Sequence, residues 1–296
     1  WNSADAPLEV RIIRATLAQS THQFDSALTE LNGVLKIDKS HPQAWLTRAS
    51  ILQVQGRYAE AMKSCQARTR ITSPLIVHMC MTGVGNVSGF AQPTYQQLSE
   101  AYDTYSRDQP ELNSWVLTQL AEMATRLGKT AEAENHFRAA LKADAEDSYL
   151  LAAYADFLLE QHREAEVITL LKDKTRADGL LLRYAEALKL SKHVQAKNYA
   201  DQLQQRFASA ALRGDRSHGR EQARFALHLQ NDAPAALKLA QENWRTQKEP
   251  ADLRILLEAA IAAKDTKIMG EVRNWMAQNK LQDVALEKIL LATARS

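Results

Sequence analysis

Leu117-Thr118-Gln119-Leu120-Ala121, Gly128-Lys129-Thr130-Ala131-Glu132-Ala133 and Phe137-Arg138-Ala139-Ala140-Leu141 are three pieces of one pattern. At helical spacing they form two amphipathic helices joined at a glycine. Small residues (Ala121, Ala133, Ala140) fall where the helices must approach closely, and large ones (Leu117, Leu120, Phe137, Leu141) where gaps need filling. The pattern returns along the chain at about 34 residues, the length of a two-helix repeat. Such a repeat cannot bury its apolar face alone, so each hairpin is expected to touch its neighbours in sequence and no others, giving a curved rod.

The chain has 296 residues, enough by that period for about eight hairpins and one spare helix. It contains only 10 Gly and 7 Pro against 45% hydrophobic residues, and good helix formers dominate it. No stretch alternates at period two, so the fold class is all-α. The 37 Lys and Arg nearly balance 35 Asp and Glu, which argues against a nucleic-acid partner. No apolar run reaches the ~20 residues a membrane span needs. No signal peptide opens the chain, which begins at Trp1; the expectation is of a processed or trimmed product, with a lipid anchor in the precursor left open.

The units expected are 6–40, 41–73, 74–108, 110–146, 147–176, 178–210, 213–248 and 249–280, with a half-polar helix at 282–295 covering the end. In the second, Trp45, Ala49 and Leu52 line one helix and Gly56-Arg57-Tyr58-Ala59-Glu60-Ala61 makes the turn. The third departs: Gly83, Gly85 and Gly89 predict a helix that is short or irregular toward Gly83–Asn86. In the fifth, His162 stands where the turn glycine belongs, which predicts a tighter or tilted connection. Asp232-Ala233-Pro234 reads as an Asp cap followed by proline at a helix start.

These residues resemble the tetratricopeptide repeat family over nearly the whole chain. The frame is carried by Trp45, Ala49, Leu52, Gly56 and Ala61, and by Leu117, Leu120, Ala121, Gly128, Ala133, Phe137 and Ala140. The resemblance implies a right-handed α-α superhelix of about eight hairpins plus a C-terminal capping helix, a single domain over 1–296. It further implies that the first helix of each pair faces the concave side and carries ligand-binding side chains. One version of the family grips a C-terminal carboxylate with Lys and Asn; here those places hold Leu46 and Ser50, and Thr118 and Glu122, so that clamp is absent. The second half, through Leu151 to Leu159 and Glu242-Asn243-Trp244, also looks like a group of exported bacterial members with two cysteines across a hairpin.

Cys65 and Cys80 are the only cysteines. If their helices form an antiparallel hairpin turning near Thr72-Ser73, they lie at one axial level, close enough for a disulfide. That implies an oxidising compartment, periplasmic or otherwise exported. The other reading is two buried thiols in a cytoplasmic array. His78-Met79-Cys80-Met81 offers soft ligands of the kind copper favours, but adjacent helical residues diverge and cannot close on one ion. Gly83 to Gly89 lacks the strand and the Gly-Lys-Ser/Thr of a phosphate loop. Arg213-Gly214-Asp215 is a chance tripeptide.

The seventh unit offers a candidate binding face. His218, Glu221, Phe225 and His228 are spaced as one helical stripe predicted to face the concave surface, flanked by Arg220 and Arg224. An aromatic beside Arg and His suits a peptide or carboxylate. Tyr149, Asp156 and Arg183 extend the same groove. The solvated-face alternative has Phe225 packed inside. His218 and His228 lie about 15 Å apart along the axis, too far to share an ion. No nucleophile–base or paired-carboxylate set stands out, so no enzyme, cofactor or metal is expected. The expectation is a scaffold holding a peptide or a partner's segment; the alternative is an exported accessory protein for copper or nickel handling, or for assembly of an envelope enzyme complex.

Overall fold

The computed structural model describes residues 6–67, 73–214 and 218–293. Within them the chain forms seventeen α-helices and no strand. They come in pairs: α1 (Leu8–Ser20) with α2 (Phe24–Ile37), α3 (Pro42–Val54) with α4 (Tyr58–Gln66), and α5 (Pro74–Asn86) with α6 (Ala91–Tyr105). A short 3-10 turn at Pro110–Leu112 leads into α7 (Asn113–Arg126) and α8 (Thr130–Ala143). Then follow α9 (Ser148–Glu160) with α10 (Glu164–Leu171), and α11 (Asp178–Leu190) with α12 (Ala196–Leu212). The series ends with α13 (Gly219–His228) and α14 (Ala233–Trp244), α15 (Pro250–Ala262) and α16 (Thr266–Asn279), and a last helix α17 (Val284–Thr293).

Each pair turns on a residue in the left-handed region: His22, Gly56, Gly89, Gly128, His162, Lys192, Asn231 and Lys264. At Gly56 (φ 74°) the amide donates to Gln53 O and the next amide to Leu52 O, which satisfies the orphan carbonyls of the helix end. His162 (φ 56°) makes the same two bonds, to Leu159 O and Leu158 O. Its turn is therefore the ordinary one, neither tighter nor tilted, and the imidazole's Cβ strain is carried by the surrounding packing. Asp232 caps α14 as its sequence predicts, accepting from Ala235 N at 3.0 Å.

The glycines of α5 do not break it. The helix runs unbroken to Asn86, and a Cβ on Gly85 would lie 2.7 Å from Thr94 Cγ2 of α6. Glycine here permits close approach of two helices instead of ending one. Asn86, wholly buried, donates to Ala91 O at 3.1 Å and accepts from both Arg126 Nε and Nη2 at 2.9 and 2.7 Å.

The two helices of each pair pack against each other, and the first helix of each pair from α1 to α13 also touches the first helix of the next. The first helices of the pairs thus form the inner wall of a right-handed superhelix and the second helices its outside. The central core joins α5 to α11 around the stacked rings of Phe137, Tyr154 and Phe157, with centroids 5.1 and 5.5 Å from Phe137. Each such ring pair adds about 0.5–1.5 kcal/mol to plain area burial. Cys65 and Cys80 are joined by a disulfide with Cα atoms 5.6 Å apart. Thr72, near which the sequence centres that hairpin, lies outside the described residues, as do parts of the second, seventh and last units.

The expectation of a rod whose hairpins touch only neighbours needs correction. The coil completes a turn, and its C-terminal third lies along the turns of the first four pairs. His22 meets Gln247 (3.2 Å), Gly56 lies against Trp275 and Lys248, Gly89 against Lys280, and Gly128 against Val284. Tyr58 and Val87 pack with the C-terminal apolar cluster, not only with their own neighbours. The cause is cumulative: a small fixed rotation per pair brings the seventh and eighth pairs back over the first ones.

Candidate binding surface

On α13 the phase is set by the residues that bury. Ala223, Phe225 and Ala226 face the core, and Arg220, Arg224 and His228, spaced four apart, face inward. Phe225 is 5% exposed and sits with Leu181, Leu182, Leu203 and Phe207, whose ring lies 5.6 Å away. It is a core residue and not an aromatic anchor in the groove. Of the stripe expected through His218, Glu221, Phe225 and His228, Glu221 and His228 lie on the inner wall, and Phe225 packs inside, as the alternative reading has it. His218 precedes the helix, which begins at Gly219.

Arg224 is the hub of the inner wall. Its Nη1 donates to Asp156 Oδ1 at 2.6 Å, and its Nη2 and Nε donate to Glu186 at 2.6 and 2.8 Å. Arg183 closes on the same Asp156 through Nη2 and Nε at 2.5 and 2.9 Å. Burial alone pushes the Asp156 carboxyl up, but the two guanidiniums outweigh it and hold the group well below the usual carboxylate range. Arg220 reaches Glu221, Glu249 and Asp252 at 3.4, 3.3 and 3.6 Å. Burial lowers its tendency to hold a proton, yet these acids raise it above the ordinary arginine value. Arg254 pairs with Glu160 and with Glu258, and Glu258 also accepts from His228 at 3.1 Å.

Tyr149 borders the guanidiniums, near enough to feel the charge of Arg220. Its ring is 63% exposed and its hydroxyl donates to Glu122 Oε1 of α7 at 2.9 Å. The adjacent Glu122 charge and then burial push the phenol well above its ordinary value. Burial pushes Glu122 up as well. Beyond these, His22, Gly179, His218, Arg220, Glu221 and Gln247 line a cavity of about 240 Å³ where the first turn meets the end of α14.

The structure therefore gathers Asp156, Arg183, Arg220, Glu221, Arg224 and His228 on one wall, with Tyr149 and His218 at its edges. Asp215 of the Arg213-Gly214-Asp215 tripeptide lies outside the described residues. The wall also uses Glu122, Glu186, Glu249, Asp252, Arg254 and Glu258, which the sequence reading passes over. A signal existed: Glu122, Asp156, Glu186 and Glu258 each stand six residues before the left-handed turn residue of their pair. Cys80 is held in its disulfide, so the His78–Met81 run has no thiolate to offer a metal. Among the described residues no three His, Cys, Asp or Glu converge as metal ligands.

Residues 116–147 match the model of the tetratricopeptide repeat family. No curated protein matches the chain in sequence. Among solved structures, yeast Tom70 superposes with a TM-score of 0.51 at 12% identity, covering 98% of this chain and 63% of that one. A tetratricopeptide repeat protein from Parabacteroides merdae gives 0.46 at 14% identity over 85% of this chain and 98% of that one. YrrB, described as having an unusual peptide-binding site, gives 0.36 at 16% identity over 68% and 94%. The chain carries a tetratricopeptide repeat at residues 116–147, set within an all-α superhelix of stacked helical hairpins.

Proposed function

We propose that this chain is a non-catalytic scaffold that holds an extended segment of a partner protein along the inner wall of its coil. The observation that carries the reading is the wall itself. Side chains from five successive first helices, α7 to α15, converge there as one half-buried polar surface, bordered by the exposed ring of Tyr149 and the cavity at His218. Polar groups so arranged give register and specificity to a bound backbone, while the cavity accepts a side chain. A photo-reactive phenylalanine analogue at Tyr149 should crosslink a native partner, and one at Val194, 93% exposed in the turn between α11 and α12, should not. Crosslinks from Val194 alone would move the binding site off the inner wall.

The same reading places the protein in an oxidising compartment, periplasmic or otherwise exported, and its support is the Cys65–Cys80 bond. Acid-quenched alkylation in the native cell should find neither thiol free. Two alkylated cysteines would contradict that placement.

A further inference from the structure

The charges of the inner wall do not balance. Around Arg183 and Arg224, the carboxylates Asp156 and Glu186 are matched one for one. Around Arg220, among the described residues, three carboxylates (Glu221, Glu249, Asp252) share ion pairs with one guanidinium. Arg254 answers both Glu160 and Glu258. Among the described residues no guanidinium bonds to Glu122: Arg126, one turn along α7, gives Nε and Nη2 to Asn86 Oδ1 and, like Arg220, reaches Glu122 only through its charge. Among the described residues the wall's carboxylates outnumber its guanidiniums, in a chain whose formal net charge is +2. A concave surface of one sign concentrates ligands of the other.

Tyr149, bonded to Glu122, and Trp115, about two turns before Glu122 in α7, are exposed rings at equivalent places. Trp115 (61% exposed) in α7 and Tyr149 (63%) in α9 each stand thirteen residues before their turn residues, Gly128 and His162. An ammonium or guanidinium gains from the face of such a ring and from a carboxylate at its edge, and an arginine or lysine stem covers the ring. A neutral or acidic segment gains neither.

We propose that the segment held by the inner wall is basic. A lysine or arginine side chain lies against Tyr149 and pairs with Glu122, and further basic side chains answer Glu221 and Glu249 beside the cavity. This rests on the inner-wall reading of function and narrows the partner to a cationic extended peptide.

The test uses the whole chain and two fluorescent peptides of equal length, one alternating Lys and Ala, the other Glu and Ala, read by anisotropy. The basic peptide should bind, weaken as salt rises, and lose roughly tenfold in affinity with Glu122→Gln, which keeps an oxygen for the Tyr149 hydroxyl. Tyr149→Ala should weaken it similarly, and Asp201→Asn on α12 should leave it unchanged. Equal binding of both peptides, no binding of the basic one, or equal losses from Glu122→Gln and Asp201→Asn would each overturn the proposal. A partner that crosslinks at Tyr149 through an acidic or neutral segment would sink it too, while leaving the inner-wall reading standing.

Discussion

The backbone amide of Lys248 donates to the carbonyl of Val54 at 2.6 Å, and the Tyr58 hydroxyl, 190 residues from Lys248, donates back to that residue's own carbonyl at 3.4 Å. The turn between α3 and α4 and the loop after α14 are thereby joined by one main-chain bond and one side-chain bond. Lys248 Nζ lies 4.3 Å from the Trp244 ring centroid and 5.5 Å from that of Trp275, and Trp275 roofs Gly56. This seam turns an open array into a closed coil and fixes the width of the space enclosed by the inner wall.

Gly56 and Gly214 separate the seam from ordinary turn chemistry. Both are left-handed, at 74° and 73°, but a Cβ on Gly56 would lie 2.7 Å from Trp275, and one on Gly214 would meet nothing within 4 Å. Gly214→Ala should cost about 1 kcal/mol from backbone strain alone. Gly56→Ala should cost about 2–3 kcal/mol because the ring must also move. Urea unfolding followed by circular dichroism measures both, and equal losses would mean that Trp275 does not press on the turn.

Arg224 is predicted to be the costliest single truncation on the inner wall. Arg224→Ala strands Glu186, whose side chain is 6% exposed, beside a half-exposed Asp156. The loss should be about 2–3 kcal/mol, below a fully buried pair because water reaches the site. In a double-mutant cycle with Asp156→Ala the two changes should couple by about 1 kcal/mol or more. Simple additivity would show the pair to be independent.

Asp252 and Glu258 should tilt the pH dependence of stability in opposite directions. Burial, with Glu249 alongside, pushes Asp252 up to about 6 against the pull of Arg220. Its contribution is present in full below the unfolded value near 3.8 and is lost as pH rises through about 6. Burial also pushes Glu258 up, but the bond from His228 and the charge of Arg254 outweigh it and hold it at about 2. Its contribution is present above about 4.5 and is lost as pH falls toward 2. The stability difference between the native chain and Asp252→Asn should therefore shrink from pH 4 to pH 6, roughly, and that for Glu258→Gln should grow from about 2 to 4.5. Slopes of the opposite sign would contradict the assignments.

Cys65→Ser with Cys80→Ser should lower stability by about 3 kcal/mol, the chain-entropy value for a loop of 15 residues. Reductant should lower the urea midpoint of the native chain and leave that of the double variant where it is. A native chain indifferent to reductant would place the bond outside the folding balance.

What could be read in advance follows from how far each signal reaches. Leu117, Gly128 and Phe137 report contacts within a pair and with the next one, so the helices and the stacking order were legible. Gly85 and His162 misled because residue type alone does not say whether a glycine ends a helix or admits a neighbour, nor whether a histidine will accept a left-handed turn. Phe225 was open to two readings because adjacent helical positions point about 100° apart, so a ring beside an arginine can belong to either face; burial in the core decides it. The meeting of Gly56 with Trp275 leaves no local trace at all, since it depends on rotation summed over five intervening pairs. Glu186 and Glu258 lay between these extremes: their spacing before each turn was visible, but their partners sit on neighbouring helices.

The most direct test of the closed coil is residue-resolved hydrogen exchange at the Lys248 amide. Lys248 lies in the loop between α14 and α15, where an open array would leave its N–H to water. The account predicts that this amide exchanges as slowly as those inside the flanking helices, and that Trp275→Ala speeds it selectively. Exchange of Lys248 in the native chain at the rate of an unprotected loop would show that the ends of the array do not meet.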